Sequence, residues 1–252
     1  ADQPFDDIEN GIFLSGGMGI LSDLEGDDTY SCGAFCQGCG YWFGLGFLHD
    51  DSGNDSYDSR VYNVGAGAHF GMGIFSDNAG DDLYFQNLDQ KGLSVGYSHD
   101  LSFAWMQDLG GNDRYKATGW QTFGVSSNQA ISLFIDKNGN DEYILNHYMV
   151  WGMATNQKDH LSANNIRRIG RTVGIFVDEG GNDVYQRKAF FNPEYVENNK
   201  VWISPQMTGA GWSEAEGYIG KVITGPSAHE NAFGFGIDKE SLNNSEILRY
   251  TD

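Results

Sequence analysis

The sequence predicts an all-β fold: a parallel β-helix, or solenoid, of about seven coils of ~27 residues, with inserted loops in the C-terminal half. Three observations predict it. An eight-residue motif, Asp-x-x-Gly-(Asp/Asn)-Asp-x-Tyr, recurs six times. Residues upstream of each copy alternate large, small, large, the period of a strand. The chain holds 35 Gly and only 4 Pro, with 14% aromatic residues, a composition of strands and tight turns.

The copies run Asp23–Tyr30, Asp50–Tyr57, Asp77–Tyr84, Asp108–Tyr115, Asp136–Tyr143 and Asp178–Tyr185, and a decayed seventh begins at Asp238. The lead Asp residues are 27, 27, 31, 28, 42 and 60 apart. A fixed period of this size means an array that grows along an axis, each unit contacting its neighbours. The whole chain, 1–252, therefore reads as one solenoid domain, with 1–16 as an N-terminal cap.

Five residues before each lead Asp stand Met18, Leu45, Met72, Phe103, Ile131, Val173 and Phe233. Three before it stand Ile20, Phe47, Ile74, Trp105, Leu133, Ile175 and Phe235. Between them lie Gly19, Gly46, Gly73, Ala104, Ser132, Gly174 and Gly234. The large columns are expected to stack as the core, and the small column to form a flat face or a close approach to another layer. A second Gly column, twelve before the Asp (Gly38, Gly65, Gly96, Gly124), marks another corner, so the coil should be three short strands joined by turns. The motif Tyr is expected to form a core ladder, its hydroxyl reaching a turn Asp. The long last gaps place inserted loops at 155–169, 187–205 and 212–230, which either cap the array or bind a ligand. They carry Lys158, Arg167, Arg168, Arg187, Lys188 and Lys200.

The formal net charge of −20 disfavours nucleic acid and anionic membrane surfaces as partners, and no run of 18 apolar residues is present. The three cysteines, Cys32, Cys36 and Cys39, are spaced C-x3-C-x2-C. That spacing resembles the cluster motif of radical-SAM enzymes, but no strand–helix alternation accompanies it. The expectation is small thiol residues inside a coil, since an odd count leaves one cysteine over.

Stacking puts like carboxylates about 4.8 Å apart, a repulsion of about 3.5 kcal/mol per contact at an effective dielectric of 20. A cation would offset it. The candidate metal residues are the first and last Asp of each motif: Asp23, Asp28, Asp50, Asp55, Asp77, Asp82, Asp108, Asp113, Asp136, Asp141, Asp178 and Asp183. A metal-free alternative is that Asp and Asn serve the turn by bonding backbone amides. The second half of each motif, as in Gly180-Gly181-Asn182-Asp183-Val184-Tyr185, resembles the turn of the calcium-binding nonapeptide (RTX) repeat. The resemblance implies Ca²⁺ between adjacent turns. It covers eight residues per coil, lacks the leading Gly-Gly, and sits in a period of 27 or more where a β-roll repeats every 18.

Polar but irregular columns point to a second corner. Eight before the Asp lie Trp42, His69, Asp100 and Asn128; nine before it lie Tyr41, Ala68, His99 and Ser127. His160, Trp212, His229 and Glu230 come from loops inserted at the same corner. His69, His99 and Asp100 are the candidate catalytic residues, suited to acid–base chemistry or a transition metal. Trp42, Trp212 and His229 are the candidate ligand-binding residues. Three functions remain open: a calcium-stabilised solenoid, extracellular or periplasmic, that binds a glycan or protein; a β-helix polysaccharide lyase or hydrolase; and a structural spacer.

Overall fold

The computed structural model describes residues 16–86, 95–117, 121–145, 151–156, 171–188, 193–196, 201–204, 207–208 and 232–238. The described residues form three sheets and no helix. The 1–15 part of the cap, most of the 155–169 loop with His160, and the whole 212–230 loop with Trp212 and His229 lie outside the described residues.

Each coil makes three strands. In one coil these are Leu45–Asp50 in sheet 1, Ser56–Ser59 in sheet 2 and Gly67–Ala68 in sheet 3. The chain then turns into Met72–Asp77, back in sheet 1 one rung along. Sheet 1 has one strand for each of the seven motif-bearing segments, paired in parallel. Register is fixed by the motif: Asp50 pairs with Asp77, Asp77 with Asp108, Asp108 with Asp136, and Asp178 with Asp238. The motif is thus the corner between sheets 1 and 2, as the repeat predicts. The insert at 187–205 is more than a loop. Pro193–Val196 pairs antiparallel on the last strand of sheet 2, and Val201–Ser204 pairs antiparallel on the last parallel strand of sheet 1.

The expected core face is inverted. The columns of Met72 and Ile74 point outward: Met18 is 69% exposed, Met72 44% and Trp105 38%. The inner face of sheet 1 carries the small column, then Leu48, Phe75, Met106, Phe134 and Phe176, then the lead Asp. Packing is the reason. Sheet 3 approaches sheet 1 backbone to backbone at the small column. A Cβ on Gly73 would overlap the Ala66 carbonyl, and one on Gly174 the Met153 carbonyl. At Ser132 the hydroxyl fits only by donating to the Val125 carbonyl at 2.7 Å. Where the sheets diverge toward sheet 2 there is room for rings. Tyr30, Tyr57, Tyr84, Tyr115, Tyr143 and Tyr185 stack face to face at 4.6–5.0 Å. Phe75 meets Tyr57 edge-on at 4.9 Å, and Phe176 meets Tyr143 at 5.4 Å. The Tyr ladder is core, as expected.

Cys32 and Cys36 form a disulfide, where the sequence suggests free thiols. They lie within one corner, brought together by a tight turn in which Phe35 has positive φ. Cys39 is the leftover thiol, pushed up to about 12 by burial.

The inverted face makes opposite expectations for neighbouring columns. Phe75→Ala should cost about 3–5 kcal/mol. Met72→Ser, on the outer face and 44% exposed, should cost less, about 1 kcal/mol. Urea denaturation of both variants checks this; equal costs would mean that the outer column is core.

Candidate functional site

The acidic corner is built from three parallel columns. The outermost holds Asp27, Asn54, Asp81, Asn112, Asn140 and Asn182. From Asp27 to Asn140, each side chain accepts the backbone N–H of the same position on the next rung, at 2.7–3.1 Å. The second column holds the last Asp of each motif, and its bonds run the other way. The N–H of Asp28 donates to Asp55 Oδ1, Asp55 to Asp82, Asp82 to Asp113, Asp113 to Asp141 and Asp141 to Asp183, at 2.6–2.8 Å. These carboxylates therefore tie rung to rung, and not each to its own turn. The motif Gly makes this stacking possible: a Cβ on Gly80 would overlap the Gly53 carbonyl oxygen, and one on Gly181 that of Gly139.

The third column is the lead Asp, turned inward against the Tyr ladder. Tyr57 donates to Asp77 and Tyr84 to Asp108, both at 2.6 Å and both one rung ahead. Tyr143 and Tyr185 donate to Asp136 and Asp178 of their own rung. The direction changes at Asp108, which also accepts from Tyr115 at 3.2 Å. The tyrosine hydroxyls thus reach the lead Asp, not the last Asp of the motif.

The columns together make four groups in which carboxylate oxygens lie within 4.8 Å of one another: Asp55/Asp77/Asp82, Asp82/Asp108/Asp113, Asp113/Asp136/Asp141 and Asp141/Asp178/Asp183. Each takes the last Asp of one rung and both Asp of the next. Asp23, Asp28 and Asp50, three of the twelve candidate residues, belong to no such group among the described residues. Asp55, Asp82, Asp113, Asp136, Asp141 and Asp178 are each at most 2% exposed. Each keeps one buried carboxylate oxygen with no hydrogen-bond donor: Oδ2 of Asp55, Asp82, Asp113 and Asp141, and Oδ1 of Asp136 and Asp178. These clusters have the donors and the unsatisfied oxygens to hold a metal ion.

Without a cation the same burial favours the neutral acid. Desolvation, then neighbouring carboxylates, push Asp77 up to about 7. Desolvation likewise lifts Asp82 and Asp141 to about 8 and Asp113 to about 10. Asp136 and Asp178 are raised well above the ordinary range, again by burial first.

At the corner between sheets 3 and 1 the structure brings the candidate residues His69, His99 and Asp100 together. His69 Nδ1 lies 3.1 Å and His99 Nε2 3.2 Å from the same oxygen, Asp100 Oδ2. Trp42 stacks on His69 at 5.0 Å. The position is set by an uncommon backbone: Trp42–Phe43, His69–Phe70, Asp100–Leu101 and Asn128–Gln129 are consecutive pairs with φ of 45° to 64°. Inter-rung bonds hold them there, as from the N–H of His69 to the His99 carbonyl and of Phe70 to the Asp100 carbonyl, both at 3.0 Å. Sequence reasoning placed Ser127 in this column but gave it no role. Its Oγ lies 2.6 Å from His99 Nδ1 and 2.6 Å from the Tyr97 hydroxyl. Ser127 and Tyr97 are buried, so they orient the ring and do not face solvent.

Compared with protein-family models, curated proteins and solved structures, the chain matches none.

The raised carboxylates give metal-free protein a pH dependence of definite sign. Their folded values exceed the unfolded value near 3.8, so the native state holds more protons between them. That stabilisation is complete below about pH 4 and is lost as pH rises through 7–8. In chelator, the melting temperature attributable to this corner should fall between pH 5 and pH 8. A rise over that window, measured by circular dichroism, would mean that the carboxylates are ionised and paired.

Proposed function

We propose that the acidic corner is an array of Ca²⁺ sites that holds the coils in register, and that the protein acts outside the cytoplasm as a calcium-stabilised scaffold for a glycan or protein ligand. The observation that carries the metal is the set of buried, donorless carboxylate oxygens, on the last Asp of each rung from Asp55 to Asp141 and on the lead Asp136 and Asp178, all of them residues of the four groups. Unless they take up protons, six unmatched carboxylate oxygens in the interior carry a desolvation cost that a cation would offset. A cation lying between rungs answers all of them with one repeated device. Each group is all-oxygen, with no nitrogen or sulfur donor, which suits a hard ion with flexible coordination. The likeness of the turns to calcium-binding nonapeptide turns agrees with this choice. The Cys32–Cys36 disulfide supports an oxidising compartment.

The ligand-binding part rests on aromatic exposure. Phe43 and Phe70 stack at 4.8 Å on the corner beside Trp42, and are 55% and 41% exposed. Adjacent exposed rings are a platform for the apolar face of a sugar or for an apolar side chain. A lyase or hydrolase acting through His69, His99 and Asp100 is the second reading, favoured by the convergence of those three groups on one oxygen position.

Calcium at about a hundred times its dissociation constant should raise the melting temperature by roughly 5–10 °C per filled site, and EDTA should reverse it. No shift with Ca²⁺ would remove the metal. Asp82→Asn keeps the oxygen that accepts the Asp55 N–H but deletes the charge that Asp82 takes on as pH passes about 8. It should raise the melting temperature in EDTA at pH 8 and shrink the calcium-induced rise. For the ligand, a Phe43→Ala/Phe70→Ala variant should lose glycan or protein binding in an array screen while its calcium response stays intact; unchanged binding would free the corner of that role.

A further inference from the structure

We propose that His69, His99 and Asp100 form a second metal site, separate from the acidic corner, that takes a zinc-like divalent ion with one coordination position left for water or an oxygen ligand. The donors are of the right kind: two imidazole nitrogens and one carboxylate oxygen, which suit Zn²⁺ and its neighbours and not Ca²⁺. Their spacing is also right. A tetrahedral zinc with bonds of about 2.05 Å has donor–donor edges of about 3.3 Å. The observed edges from Asp100 Oδ2 are 3.1 Å to His69 Nδ1 and 3.2 Å to His99 Nε2, with all three donor atoms within 4.8 Å of one another. Two edges of one tetrahedral face are therefore in place, and the third is bounded at 4.8 Å.

The rings are held for ligation. A metal-binding histidine ordinarily anchors its other nitrogen to a fixed partner. His99 Nδ1 lies 2.6 Å from Ser127 Oγ, itself 2.6 Å from the Tyr97 hydroxyl, so a buried chain fixes the ring with Nε2 toward Asp100. His69 is fixed by its stack on Trp42 and its edge-on contact with Tyr41 at 5.4 Å. Access differs from the acidic corner. The His69 side chain is 27% exposed and that of His99 18%, so an ion there meets solvent on one side. Three protein ligands with an open position are the arrangement of zinc sites that bind or activate water. Among the described residues no other rung makes such a group: the same column holds Trp42 on the rung before His69 and Asn128 on the rung after Asp100.

Isothermal titration of Zn²⁺ into the full chain, in excess Ca²⁺ so that the acidic corner is saturated, tests this. One zinc per chain is expected. His69→Ala and His99→Ala should each weaken it at least tenfold, and Ser127→Ala by about 10–100-fold through loss of the ring's anchor. Because a corner variant can unfold, the wild type is read as well. With ¹⁵N-labelled histidine, zinc should shift the Nδ1 signal of one ring and the Nε2 signal of another. Absence of stoichiometric zinc binding, binding that survives the His69→Ala/His99→Ala pair, or metallation of two rings through the same nitrogen type would overturn the site. Failure of the calcium ladder would show instead as a calcium-independent melting temperature with these zinc results unchanged.

Discussion

In-register parallel stacking is the constraint from which the rest of the molecule follows. When every rung places the same residue over its counterpart about 4.8 Å away, whatever one rung holds is multiplied along the axis. For tyrosine rings this is favourable, and the ladder from Tyr30 to Tyr185 is the spine of the core. For amides it is favourable too, because Asn140 accepts from Asn182 what Asn112 accepts from Asn140. For carboxylates it is costly, and the chain reduces the cost by geometry. The outer ladder bonds in one direction along the axis and the inner Asp ladder in the other. Each inner-ladder carboxylate from Asp55 to Asp141 thereby gains an amide donor for one oxygen. The second oxygen gains none. That half-satisfied state, repeated over successive rungs, is why the acidic corner asks for cations or protons.

Much of this was legible in the sequence because stacking transmits directly into periodicity. The motif spacing gave the three-sided coil, the acidic corner and the tyrosine ladder. The inverted face of sheet 1 was not read correctly, and the reason is physical. Alternation identifies two faces but not which of them is inside. The deciding signal lay one column over. Leu48, Phe75, Met106, Phe134 and Phe176 share their face with the small residues and with the lead Asp, while the Met72 column shares its face with His49 and Gln107. A layer of Gly, Ala and Ser looks like a poor core until the approach of sheet 3 is known, and that approach depends on two-residue strands such as Gly67–Ala68, too short to announce themselves. The Cys32–Cys36 bond escaped because an odd cysteine count says nothing about which pair a corner will bring together.

The metal groups show the limit of reading columns one at a time. Like residues stack over like, yet the oxygens that converge come from different columns: Asp82 from one rung with Asp108 and Asp113 from the next. A lead Asp turned inward and a last Asp that reaches back to the amide of the preceding rung meet that rung's own last Asp across the gap between rungs. Asp50 shows the contrast, since it is buried and accepts from Tyr30 yet joins no group among the described residues.

A repeat is poorly suited to making one unique site, because each column offers the same side chain many times. The sheet 3 to sheet 1 corner escapes through divergence within a fixed backbone. Its paired left-handed residues recur on rung after rung, so the backbone there is set by inter-rung hydrogen bonds and not by side-chain identity. Left-handed geometry disfavours most side chains but tolerates Asn, Asp and His comparatively well. The corner is thus a place where His69, Asp100 and Asn128 enter at low cost and project from rungs about 5 Å apart. Divergence in two neighbouring rungs is enough to set two imidazoles around one carboxylate. The same stacking that forces repetition on the acidic corner supplies, at this one, a rigid frame on which two imidazoles and a carboxylate meet.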